Sequence, residues 1–247
     1  MSELKKVYRT GSISVVELDD FYAYKCMAVR EIYWLREYTI LMYLWMFDHS
    51  NIIKYEKCRY VDCKEWKKNK LQKHFELTLP LYENTLYESD LIADEDIIQI
   101  LIDILEAVAF CHKLKIWHRD IKSDNIMIDN KRAKLIDFTH SIRVKTQDLK
   151  LDSFISTYTH RAPEVFLYEK KIVNSYDEKI DIWSIGIVLF EFITKKRLYE
   201  IITTNGGKKE VEDFFTKQEE TLYMENLKNL YEKNRKDSKT YNEYWSW

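Results

Sequence analysis

The densest concentration of reactive side chains in the 247-residue chain is His118-Arg119-Asp120-Ile121-Lys122-Ser123-Asp124-Asn125. It supplies a carboxylate able to orient or accept a hydroxyl proton, cations able to neutralise phosphate charge, and an amide oxygen able to help hold a hard cation. These are the group types that phosphoryl transfer from ATP demands, because its loose transition state leaves a protein mainly positioning and charge neutralisation to do. A second carboxylate follows twelve residues after Asn125, in Leu135-Ile136-Asp137-Phe138-Thr139. Taken singly, Asp137 reads equally well as a solvated turn residue.

The order of these residues, with Lys122 two positions and Asn125 five positions after Asp120, resembles the catalytic loop of the protein kinase family. Asp137-Phe138-Thr139 stands where that family has Asp-Phe-Gly. Arg161-Ala162-Pro163-Glu164 resembles its Ala-Pro-Glu signature, and Asp181-Ile182-Trp183-Ser184-Ile185-Gly186 its buried bracing helix. The resemblance implies that Asp120 orients or accepts the hydroxyl proton, that Lys122 contacts the transferring phosphate, and that Asn125 and Asp137 hold Mg2+. It also implies a bilobal α+β fold over residues 1–247. A small β-rich lobe of residues 1–79, with one helix, is joined by a hinge at 80–85 to a larger, mainly helical lobe at 86–247 that is shortened at its end.

The nucleotide end departs further from the family. Arg9-Thr10-Gly11-Ser12-Ile13-Ser14 keeps only Gly11, the middle glycine of the phosphate-covering loop. Tyr22-Ala23-Tyr24-Lys25 resembles the Val-Ala-Ile-Lys strand, which gives Lys25 the α- and β-phosphates and a helical glutamate as partner, Glu37 with Glu31 as rival. Leu77-Thr78-Leu79-Pro80-Leu81-Tyr82 resembles the hinge, with Leu79 as gatekeeper and the backbone of Pro80 and Tyr82 toward adenine. Val16 and Ala23 complete the expected nucleotide contacts. Thr85 falls where relatives place a ribose-contacting Asp. Thr139 puts a β-branched side chain where glycine would leave the backbone free.

Lys122, and Thr157 five residues before Ala162, fit serine/threonine rather than tyrosine kinases. Arg161 before Ala162, and Leu35-Arg36-Glu37, resemble the branch containing cyclin-dependent and MAP kinases, in which a cyclin-like regulatory protein binds at that helix. On the same comparison Asp152 falls at the site of an activating phosphothreonine, where it would pair with Arg119 and Arg36 as a standing charge. Ser153 is a rival phosphosite. Arg235 is the weak counterpart of the late arginine that pairs with Glu164. A scaffold or decoy without catalysis is the alternative function, and small-molecule phosphotransferases a third, set aside because they lack an Ala-Pro-Glu segment.

These residues need elements to position them. Residues 7–25 read as two or three strands, and residues 29–46 take a helical period with Ile32, Leu35, Thr39 and Met42 on one face. Strands resume over residues 52–81, broken by the basic segment 64–73, which reads as a solvated loop. Residues 94–112 carry Ile97, Ile98, Leu101, Ile104, Leu105, Val108 and Cys111 at three- and four-residue spacing behind an acidic first turn. A helix over 180–192 is apolar on nearly all sides, although Glu191 interrupts it, and a charged tail helix is expected over 209–233.

The 39 basic and 41 acidic residues give a net charge of −2, so no global field draws the chain to nucleic acid or an anionic membrane. The 46% hydrophobic content is ample for a core. Cys26, Cys58, Cys63 and Cys111 show no paired metal-ligand spacing and read as reduced thiols in an intracellular protein, with the cytoplasm as the expected compartment and the nucleus or a virus-infected host cell as alternatives. No apolar run is long enough to span a bilayer. Only four glycines and two prolines occur, and Lys, Ile, Asn and Tyr are abundant, a bias that suggests an AT-rich genome such as that of a parasite or large DNA virus.

Overall fold

The computed structural model describes residues 6–10, 14–28, 32–64, 71–82, 84–89, 94–144, 157–194 and 196–198. The chain divides into two compact units, Met1–Leu149 and Lys150–Trp247.

The first unit opens with an antiparallel sheet in the order β1 (Lys6–Thr10), β2 (Ser14–Leu18), β3 (Tyr22–Ala28), β5 (Leu71–Pro80), β4 (Lys57–Lys64). Both long strands run into the basic segment expected as a loop, since Lys64 pairs with Leu71 and Asp62 with Lys73. Residues 65–70 lie outside the described residues. The register places Val16 beside Lys25 beside Leu77, and Leu18 beside Ala23 beside Leu79. Side chains alternate along a strand, so Val16, Ala23, Lys25 and Leu79 share one face of the sheet.

Helix α1 (Ile32–Trp45) crosses between β3 and β4 and is pinned to the sheet by Trp34 stacking on Phe75 at 3.5 Å between ring centroids. The face marked by Leu35, Thr39 and Met42 is the outward one, with Leu35 44% and Met42 43% exposed. The buried face carries Glu37, Ile40, Leu41 and Leu44. A hydrophobic period locates a helix but does not say which stripe faces inward when a functional carboxylate must also be buried.

Helix α2 (Asp94–Lys113) buries Ile97, Ile100, Ile104, Ala107, Val108 and Cys111, while Ile98 and Leu105 lie outside. Its Asp103 is fully buried and grips β9 (Arg132–Leu135). It accepts 2.8 and 2.6 Å bonds from the Arg132 guanidinium, a 2.8 Å bond from the Ala133 N–H and a 3.0 Å bond from Gln99. Burial alone would raise the Asp103 carboxyl, but these donors outweigh it and hold it below its ordinary value. Asp103→Ala, which strands the Ala133 N–H, is expected to cost about 3 kcal/mol in urea unfolding at pH 7. Because the folded-state pKa is depressed, the deficit relative to the parent should shrink as pH falls below about 4.

β8 (Ile126–Asp129) and β9 form a hairpin whose two-residue turn, Asn130-Lys131, has φ of 49° and 64°. Primed turns of this kind match the strand twist but are usually built with glycine. In this glycine-poor chain Asn and Lys occupy them, just as Lys115 (φ 61°) follows α2 and Lys171 (φ 60°) follows the Lys170 cap of the short helix Pro163–Glu169. β6 (Asn84–Thr85) joins the hairpin to make three strands, and β7 (Ile116–Trp117) pairs with β10 (Ile142–Arg143). The β7–β10 pair closes the two ends of segment 118–141, which itself contains β8 and β9.

In the second unit a 3-10 turn (Tyr158–His160) leads into α3 (Pro163–Glu169), which begins on Pro163 where its missing N–H costs nothing, and then α4 (Lys179–Thr194). The Ser184 hydroxyl lies 2.9 Å from the His160 carbonyl, and Glu191 is buried 3.3 Å from the His160 ring. Among the described residues no helix is long and apolar enough to cross a membrane. The expected tail helix 209–233 and Arg235 fall outside the described residues.

Candidate active site

The residues expected from the sequence to be catalytic or metal-holding all fall within the first unit. Lys25 projects from β3 and is buried, and its ammonium lies 2.8 Å from Glu37 Oε2, 2.7 Å from Asp137 Oδ1 and 2.8 Å from Thr139 Oγ1. Burial would push the Lys25 ammonium down, but the charges of Asp137 and Glu37 and their hydrogen bonds outweigh it and hold it above the ordinary lysine value. Burial raises Glu37, with Lys25 opposing. Asp137, also desolvated, is nevertheless held far below the usual carboxylate range by the adjacent Lys25 charge. Glu37 makes the ion pair with Lys25, while Glu31 lies outside the described residues.

Asp120 is buried and its Oδ2 accepts bonds of 3.0 Å from Lys122 Nζ and 3.0 Å from Asn125 Nδ2. Asn125 Nδ2 also donates to the Asp120 carbonyl at 2.8 Å, so its amide oxygen is turned away from this pair. The loop is fixed from the other side by His118. Its Nε2 is 3.0 Å from the Ile136 carbonyl, its Nδ1 takes the Asp120 N–H at 3.3 Å, and its ring stands edge-on to fully buried Phe138. Arg119 Nε donates to the His140 carbonyl at 2.9 Å, and Ser141 to the His118 carbonyl at 3.1 Å.

Two residues of this junction, Arg119 (φ 68°) and Asp137 (φ 62°), sit in left-handed backbone without being glycine. Such positions cost about 1–3 kcal/mol and persist where the surroundings over-determine them, as these paired strands and side-chain bonds do. At Asp137 the conformation makes the side chain a cap for the 3-10 turn Phe138–His140.

The donor set suits a hard divalent cation and a polyphosphate. An ionised Asp137 and the Asn125 amide oxygen are oxygen donors of the kind Mg2+ takes, and the buried Lys25 ammonium is a fixed positive charge beside them. Bound Mg2+ would supply charge neutralisation of the phosphates.

The protein kinase domain family matches residues 11–244, a span that covers most of each compact unit. The chain belongs to this family. Among its relatives, sperm motility kinase 2A of Mus musculus is 32% identical over 200 residues, 76% of this chain and 36% of that protein. Sperm motility kinase 3A of Mus musculus is 33% identical over 176 residues, 70% of this chain and 33% of that protein. A probable serine/threonine-protein kinase of Dictyostelium discoideum is 33% identical over 138 residues, 54% of this chain and 25% of that protein. The chain thus spans only about a quarter to a third of the length of these relatives.

Within this kinase domain the remaining marked residues take up definite places. Val16 and Ala23 are half-buried on the sheet face that carries Lys25. Pro80 ends β5 opposite Tyr22, and Tyr82 follows it with its phenol pushed up to about 12, chiefly by burial and next by Asp129. Thr85 is buried and shares reciprocal bonds with Glu88, its hydroxyl 3.0 Å from the carboxylate and the Glu88 N–H 3.2 Å from the hydroxyl. That exchange commits the hydroxyl locally. Arg161 is buried with Nη1 2.7 Å from Glu169 and its guanidinium over the Tyr158 and Phe166 rings. Gly11, Asp152 and Ser153 lie outside the described residues.

Sequence reasoning missed two contributors. Thr139 reads as a lost glycine, yet its hydroxyl sits at the centre of the Lys25 cluster. Arg143, which the sequence does not mark, lies 3.8 Å over the Tyr43 ring and donates to its hydroxyl at 2.9 Å, tying α1 to the segment after Phe138. Only the polar replacement directly after Asp137-Phe138 was a usable signal.

Proposed function

We propose that this kinase domain transfers the γ-phosphate of ATP, with Mg2+, to serine or threonine hydroxyls of protein substrates. The observation that carries the reading is the intact set of Lys25 paired to Glu37, Asp120 held by Lys122 and Asn125, and anionic Asp137, all in one compact unit. A chain retained only as a scaffold has no physical need for a desolvated lysine flanked by two carboxylates. Asp120 orients the acceptor hydroxyl and takes its proton, and Lys122, whose ammonium is already beside that carboxylate, offsets charge building on the transferring phosphate. Asn125 and Asp137 hold the cation. The shared sheet face of Val16, Ala23 and Leu79 is an apolar surface suited to a flat base, with Pro80 and Tyr82 at its end, and Gly11, outside the described residues, is assigned to the phosphates by its resemblance to the family's glycine loop.

The finer assignments belong to the same proposal. Serine/threonine specificity rests on Lys122 and Thr157, and the cyclin-dependent/MAP kinase branch on Arg161 and Leu35-Arg36-Glu37. The outward α1 residues Leu35, Met42 and Trp45, with Met46 just after them, support a regulatory protein partner there. We place the lobes at residues 1–79 and 86–247 about a hinge at 80–85, within an intracellular protein. The test is transfer of labelled γ-phosphate from Mg-ATP to mixed Ser/Thr and to Tyr peptide pools. Labelling of Ser/Thr peptides supports the reading, labelling of Tyr alone overturns the specificity, and no labelling by folded protein favours the scaffold or decoy alternative.

A further inference from the structure

Resting on the kinase reading, we propose that Thr139 is a positioning residue that couples Glu37 of α1 directly to the metal-side carboxylate Asp137, a link that glycine at this position cannot make. Thr139 is 2% exposed, and its Oγ1 lies 2.8 Å from Lys25 Nζ, 2.5 Å from Asp137 Oδ1 and 2.9 Å from Glu37 Oε2. A hydroxyl has one proton and two lone pairs. It therefore accepts from Lys25, which has only donors, and gives its proton to a carboxylate. Asp137 is the nearer acceptor, and Glu37 is reached by rotating the same O–H. The Thr139 N–H adds a 3.3 Å bond to the same Asp137 oxygen.

The backbone accommodates the β-branched residue. Thr139 lies in the 3-10 turn Phe138–His140 and is not among the residues with positive φ, because the left-handed position is Asp137. β-Branching restricts rotation about the first side-chain bond, so the hydroxyl is held where three charged groups converge. Displacing α1 outward breaks the Lys25–Glu37 pair and removes one of the two carboxylates between which the Thr139 proton exchanges. The hydroxyl thus links the position of the helix to that of the metal-side carboxylate.

The test compares the parent with Thr139→Ser, which keeps the hydroxyl, and Thr139→Val, which keeps the shape without it. Amide hydrogen exchange of the nucleotide-free proteins is read at α1, with α2 as internal reference, and phosphate transfer is read alongside. The expected result is α1 exchange about tenfold faster in Thr139→Val with α2 unchanged, Thr139→Ser within about twofold of the parent, and a fall in kcat rather than a rise in KM for Thr139→Val. α1 as protected in Thr139→Val as in the parent, or Thr139→Ser as impaired as Thr139→Val, overturns the coupling. If α2 protection is also lost in Thr139→Val, Thr139→Ala decides by the same two criteria. A parent that transfers no phosphate while the α1 pattern holds sinks the kinase reading and leaves the coupling standing. A parent that transfers phosphate, with Thr139→Val indistinguishable from it in both readouts, does the reverse.

Discussion

Asp120→Asn is expected to lower kcat for phosphate transfer by about 10²–10⁴-fold, the range a positioned acid–base group contributes. The amide keeps the size of the carboxylate but cannot accept a proton, and it presents at most one acceptor oxygen to the two donors now on Oδ2, Lys122 and Asn125. Affinity for Mg-ADP, followed with a fluorescent nucleotide, should change by less than about threefold, because the groups proposed to meet the nucleotide, Lys25 and Asp137, are untouched. Loss of rate with retained binding is the signature of an interaction made in the transition state. Equal losses in both would place Asp120 in nucleotide binding instead. A variant as fast as the parent would remove Asp120 from the chemistry.

Lys25→Met should remove activity and destabilise the fold together. Methionine preserves the length of the side chain but leaves buried Glu37 and the Asp137 carboxylate facing each other without a cation. Removing one partner of a buried ion pair costs about 3–5 kcal/mol, because the other charge stays desolvated. Thr139 offsets only part of the damage, since its one proton can serve only one of the two carboxylates at a time. Urea unfolding should report the stability loss, and Mg-nucleotide binding should fall by more than about tenfold. Full stability in Lys25→Met would mean that the cluster is held by other contacts. A decoy lacking catalysis would show the same stability loss with no activity to lose, so the two measurements separate structural from catalytic roles.

The geometry of the 118–125 loop was legible because its bonds are local. Asp120, Lys122 and Asn125 lie within six residues, and the bonds that organise them join the same residues, so order along the chain already implies the geometry. Helix α2 was legible for a similar reason, since the period of its apolar residues reports one long element. The period of α1 was equally clear, but it marked the outward stripe through Leu35 and Met42. Which face turns inward is decided by a carboxylate seeking Lys25, a contact twelve residues away in sequence.

The sequence by itself determined the family, the order of elements and the identity of the acid, base and cation candidates, because these depend on residue type and short spacing. Tertiary structure decided how they act together. Only the folded chain brings Lys25 of β3 and Glu37 of α1 to Asp137, 112 positions beyond Lys25, and sets Thr139 at the meeting point. It likewise decided that the strain usually carried by glycine falls on Asp137 and on lysines at turns, where paired strands and buried hydrogen bonds hold them. Long-range electrostatics and backbone strain depend on distances that the chain acquires when it folds, and residue order alone does not contain them.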